Sequence, residues 1–157
     1  MTILGGLRIM NDNIRFIYRV EGETGCGPFQ RCQNTYIEGR DRLGDFIYGK
    51  VGCKPCHITP DKDWSLWDEW GHMGYDDVYY FGFDNLDLLL EWFDFDDLSK
   101  FKQFEDDNFK FKISKYKASN TDIIFGDYQL LFIKDNAKLI ERIEPDELRS
   151  HINNEQR

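Results

Sequence analysis

Four cysteines and a dense run of carboxylates are the residues of this chain whose types and spacing could do chemistry. Cys53-Lys54-Pro55-Cys56 has the two-residue gap that lets two thiolates grip one tetrahedral zinc, leaving Cys26 and Cys32 to supply the remaining ligands. The second pair fits a zinc knuckle well and the first fits it poorly; His57 could replace one thiolate. A zinc-stabilised structural module is therefore one reading, set against four ordinary reduced thiols. Cys53 to His57 also spells the attachment pattern of c-type haem, which belongs to exporting compartments. The segment from Met1 to Asp12 lacks the basic start and long apolar stretch of an export signal, so a cytoplasmic location in a host cell is expected. Asp61, Asp63, Asp76 and Asp77 could hold Ca²⁺ or Mg²⁺, but they match no twelve-residue calcium loop.

The carboxylates are unevenly placed. The net charge is −9, yet residues 61–107 alone hold 15 Asp/Glu against 3 Lys/Arg, a local balance of −12, while both flanks are slightly basic. From Asp63 to Ser99 there is no Lys or Arg, so Asp84, Asp87, Glu91, Asp94, Asp96 and Asp97 have no local cation for i,i+4 pairing. Such a segment repels phosphate backbones, which disfavours ordinary nucleic-acid binding through it and favours a basic protein partner. Carboxylates at regular spacing can stand in for phosphates, the physical basis of DNA mimicry. Trp64, Trp67 and Trp70 lie beside Asp68 and Glu69, and Asp76 and Asp77 follow closely. Large aromatics among charges are how interfaces gain energy and specificity. Candidate binding residues are accordingly Trp67, Trp70 and the ten acidic side chains from Asp68 to Asp97 just named. The bland alternative is a wet helix face and a completed core.

These residues need elements to hold them. At 157 residues, 41% hydrophobic and 16% aromatic, the chain is expected to form a single domain over 1–157, with flexible ends at 1–13 and 150–157. No 18-residue apolar stretch occurs, so no membrane span is expected. Ile14 to Val20 alternates, predicting a half-buried strand with Ile14, Phe16, Tyr18 and Val20 inward and Arg15 and Arg19 outward. Residues 29–60 are irregular, with a short strand at Phe46 to Val51. Asp84 is the expected N-cap, with Asp87 completing a capping box, of a helix carrying Leu86, Leu89, Leu90 and Phe93. A second helix is expected over Asp96 to Phe104, and a strand over Phe109 to Ile113. Ile123 to Ile133 reads as one long strand broken by a bulge or turn at Gly126-Asp127. Asp135-Asn136 then allows a hairpin into Lys138 to Ile143, and Pro145 opens a last helix. The order predicts an α+β fold, mainly antiparallel sheet packed against two to three helices.

Parts of residues 14–133 resemble a group of small, uncharacterised bacteriophage-encoded proteins. The resemblance rests on Tyr18-Arg19-Val20 leading to Gly27-Pro28-Phe29, on His57-x-x-Pro60-x-x-Asp63, on Phe81-Gly82-Phe83-x-x-Leu86-x-x-Leu89-x-x-Trp92-Phe93, and on Tyr128-Gln129. It implies a phage accessory protein acting by binding, which with the acidic segment points to inhibition or modulation of a basic, nucleic-acid-handling host defence protein. An Arg ending an early strand, an aromatic strand before a helix and a late Gln also resemble ADP-ribosyltransferase-like folds. That resemblance implies an NAD-binding enzyme in which Arg19 holds NAD, Tyr80 or Phe83 stacks on nicotinamide, and Gln129 stands where an active transferase has Glu. Gln cannot serve as the carboxylate that activates a nucleophile, so catalysis is weakened in this alternative. No glycine-rich phosphate loop or nucleophilic triad can be assembled from the remaining residues.

Overall fold

Strand β1 (Ile14–Glu21) is covered on both sides from Ile17 onward, and this sets the layering of the molecule. The computed structural model describes residues 13–22, 63–100 and 110–155. Among them, β1, β3 (Lys112–Ser119) and β6 (Lys138–Ile143) form one antiparallel sheet in the order β1-β3-β6. Strands β2 (Tyr79–Gly82), β4 (Ile123–Phe125) and β5 (Leu130–Ile133) form a second, in the order β2-β5-β4. A bridge between Tyr18 and Phe83, with both N–H to carbonyl distances 2.8 Å, links the sheets at the edge of β1.

Alternation along β1 sends Tyr18 and Val20 into one core and Ile17 into another. The first core lies under the helices: Leu86, Leu89 and Trp92 of α2 (Leu86–Trp92), Leu98 of α3 (Phe95–Lys100) and Leu148 of α4 (Leu148–Glu155) meet Phe111, Ile113 and Ile143. The second joins the sheets, with Ile17, Tyr116 and Ala118 facing Ile123, Leu130 and Phe132. The first sheet is thus the middle of three layers. At Gly82 an added Cβ would stand 2.6 Å from Ile17 Cγ2, so β2 approaches β1 only because that position has no side chain.

The expected α+β class, the opening strand and the Pro145 helix are present. Several local expectations are corrected. Ile14 and Phe16 are exposed, whereas Arg19 and Glu21 are buried, because the second sheet covers the face that looked solvated. The helix at Leu86 is capped by Asn85, whose Oδ1 accepts from the Leu88 N–H at 2.9 Å, while Asp84 instead meets Arg15 at 3.7 Å. Of the two forms expected at Gly126-Asp127, a bulge or a turn, the chain takes the turn, so Ile123 to Ile133 is a tight hairpin of β4 and β5. The strand expected from Phe109 begins at Lys112 and runs on to Ser119. β6 does not return beside β5; a 3₁₀ turn at Lys134–Asn136 carries it to the free side of β3. Helix α1 (Trp64–His72) has no counterpart in the sequence reading. Helix α3 starts one residue before the expected Asp96, and the described part of α4 reaches Glu155. The expected strand at Phe46 to Val51 lies outside the described residues. No described helix is long and apolar enough to cross a membrane.

Candidate functional site

Two arrangements of charge stand out, one buried between the sheets and one exposed along the helices. The buried one starts with Arg19 and Glu21, which alternation places on the β1 face toward the second sheet. Arg19 Nε donates to Glu21 Oε1 at 2.9 Å, Arg19 Nη1 donates to the Phe81 carbonyl at 2.7 Å, and the guanidinium lies 5.0 Å from the Tyr80 ring centre. Glu21 also accepts from the Tyr116 hydroxyl and meets Lys134 at 3.4 Å and Arg142 at 3.8 Å. Three cations therefore converge on one carboxylate with no exposed surface.

Electrostatics fix the protonation states. Burial alone would raise the Glu21 carboxyl, but the Arg19 guanidinium, the Tyr116 hydroxyl and the Lys134 ammonium outweigh it and hold the group below the ordinary value. Burial lowers Arg19, with Glu21 opposing, and lowers Lys134 likewise. Burial, then the hydrogen bond to Glu21, pushes Tyr116 up, so its phenol stays a donor. This cluster ties β1 and β3 to β2 and to the turn after β5. Sequence reasoning found Arg19 and Tyr80 but missed Glu21, Tyr116, Lys134 and Arg142, which share no spacing pattern; Glu21, two residues beyond Arg19 on the same face, was the only available signal.

Of the residues of the NAD-binding alternative, Arg19 lies against Tyr80 but has Nε and Nη1 engaged within the fold, Phe83 is packed against Trp92 and Phe93 in the core, and Gln129 is buried just before β5. Asp63 is no cation ligand either. Its carboxylate is buried and accepts the backbone N–H groups of Asp127 at 3.1 Å, Tyr128 at 2.8 Å and Gln129 at 2.9 Å, clasping the β4–β5 turn. That clasp is a backbone nest of the kind that binds anions, filled by the chain's own side chain. Asp76 and Asp77 are exposed, Asp61 lies outside the described residues, and no metal-ligating group of three occurs among the described residues. Cys26, Cys32, Cys53 and Cys56 lie outside them as well.

The exposed arrangement follows α1 and α2. Asp68 and Glu69 on α1, Asp77 in the next loop, and Asp87 and Glu91 one turn apart on α2 are exposed and hold no ion pair among the described residues. Asp76 is exposed and accepts from the Val78 N–H; Asp96 is exposed on α3, Asp94 is half-buried, and Asp97 lies within α3. Trp67 and Trp70 are half-buried, their rings 5.5 Å apart, and Trp70 packs edge-on to Tyr75 and Phe81 while its Nε1 donates to the Asp76 carbonyl. Left-handed backbone at Gly74 and Tyr75 folds the Tyr75 ring back onto this cluster. Trp64, which the sequence reading passed over as a binding residue, is the tryptophan that faces solvent, at 63% exposure.

Neither the curated proteins nor the solved structures contain a significant relative. The profile of the bacteriophage T4 Y00F protein family matches residues 10–146, which span every described strand and the helices that carry the acidic side chains, and the chain belongs to that family.

Proposed function

We propose that this phage-family protein is an accessory protein that acts by binding, capturing a basic, nucleic-acid-handling host protein, of defence or another pathway, on its acidic helical surface. The observation that carries the reading is the set of exposed carboxylates on α1 and α2 without ion pairs among the described residues. Like charges held together without cations oppose folding, so their retention fits a role outside the chain. A partner that binds DNA or RNA presents Lys and Arg arranged for phosphates, and an array of carboxylates can occupy the same groups. Trp64 supplies an exposed aromatic anchor beside the charges.

The test is affinity purification from infected host cells with mass spectrometry, run in parallel on the wild type and on an Asp68→Lys/Asp87→Lys/Glu91→Lys variant. The expected result is a basic nucleic-acid-handling protein on the wild type, released by raised salt and absent from the variant, whose thermal melting stays close to wild type. Capture that survives both the reversals and high salt overturns the reading, as does a wild type that retains no basic protein.

A further inference from the structure

Strand β6 ends the order β1-β3-β6, so one long side of it has no partner strand among the described residues. Lys138, Leu139, Ile140 and Glu141 are all exposed, and Leu139 and Ile140 each keep 43% of their surface in solvent. A strand lying on a core would cover alternate residues. Here the register slips so that Lys115 faces Glu141 while Tyr116 faces Leu139, leaving Ile140 unopposed and both apolar side chains outward. Lys138 and Glu141 hold no ion pair among the described residues. The edge also lacks a proline and, among the described residues, a covering helix, two devices that keep exposed edges from pairing.

The sequence of this edge is self-complementary. Laid antiparallel against a second copy about a two-fold axis between Leu139 and Ile140, Lys-Leu-Ile-Glu sets Lys138 opposite Glu141 of the second copy and Leu139 opposite its Ile140. The symmetry repeats both pairs. Sliding the register by one residue places Lys138 opposite Ile140 or opposite Arg142, so one alignment satisfies both charges and the apolar pair together. We propose that β6 is a homodimer interface, joining two first sheets edge to edge into one six-stranded sheet in this register. Backbone ladder bonds supply attraction and the cross-strand pairs select the register. The occupant is a second copy because the strand's own charge pattern matches itself. This surface is separate from the acidic helices, so the two readings stand or fall independently.

Charge reversal tests it, read by sedimentation equilibrium over a concentration series. Lys138→Glu and Glu141→Lys each set like charges opposite one another twice per dimer and should weaken dimerisation roughly tenfold. The double variant Lys138→Glu/Glu141→Lys restores both opposite pairs and should return to within about threefold of wild type. An equimolar mixture of the two single variants should form heterodimers. Both substituted positions are exposed on one strand, and unchanged circular dichroism and melting identify the effect as association. A wild type that stays monomeric across the series overturns the proposal. So do single reversals that dimerise as well as wild type, and a double variant that fails to recover.

Discussion

Replacing Asp63 with alanine removes the one side chain that satisfies three consecutive backbone N–H groups, those of Asp127, Tyr128 and Gln129. The bonds to Asp127 and Tyr128 are partly exposed, so water can take over there; the Gln129 N–H is buried and loses its acceptor outright. A hydrogen bond to a charged group contributes about 1.5–3 kcal/mol and a stranded buried donor costs about 1–3 kcal/mol, so the substitution should cost about 3–5 kcal/mol in all. In a chain of this size that lowers the melting midpoint by about 10 °C. Gly126 makes the argument sharper. A Cβ built there would stand 2.5 Å from Asp63 Oδ2 and 2.8 Å from its Cγ, so Gly126→Ala forces the carboxylate or the hairpin to move, at about 2 kcal/mol. With the carboxylate gone the obstacle is gone, and Gly126→Ala should then be nearly neutral. Urea unfolding of the wild type, both single variants and the double variant measures the coupling, expected at about 2 kcal/mol. Additive losses would refute the clasp, as would an Asp63→Ala protein melting within about 2 °C of wild type.

Glu21→Gln should cost about 3–5 kcal/mol at neutral pH, because it leaves Arg19 buried beside a neutral partner. The pH dependence has a definite sign: the folded carboxyl lies below its ordinary 4.5, so its contribution is present above that value and lost as pH falls through the lowered one. Acid unfolding curves should therefore be flatter for Glu21→Gln than for wild type below pH 4.5, and parallel curves would contradict the assignment. Gly82→Ala should lower stability by about 1–3 kcal/mol, since its Cβ would meet Ile17 Cγ2 at 2.6 Å; an unchanged midpoint would show that the sheets are less closely apposed. Asn85→Ala should cost about 1 kcal/mol by removing the cap on the Leu88 N–H, while Asp84→Ala, a partner only in a partly exposed ion pair, should cost less; the reverse ranking in thermal melts would restore Asp84 as the cap.

What the sequence could and could not disclose follows from how far apart the deciding residues lie. Alternation from Ile14 to Val20 is a local signal and it located β1, but it cannot say whether a second sheet will cover the face of Arg19, so that position looked solvated. The reversal at Gly126-Asp127 was visible because glycine and aspartate mark turns. The destination of β6 was not, because the Lys134–Asn136 turn is compatible with a hairpin and only the free side of β3, some twenty residues earlier, decides otherwise. Helix α1 was hidden by its composition: tryptophan and glycine are indifferent or poor helix formers, and Leu66 is its single buried residue, so no apolar stripe announces it.

The charged sites divide along the same line. The exposed carboxylates of α1 and α2 were legible from composition alone, since a stretch without Lys or Arg must place its acids in water or pair them from far away. Asp63 was not. Read in sequence, it was one of several aspartates that could hold a cation. In the fold it meets three backbone N–H groups, each presenting the positive end of its dipole, and a site that surrounds a carboxylate with donors has no acceptors left to offer a metal. The same residue type therefore does opposite work at two places in one short segment. At Asp63 the turn between β4 and β5 consumes the charge, and at Asp68, Asp87 and Glu91 no described group does, which leaves those charges available to something outside the chain.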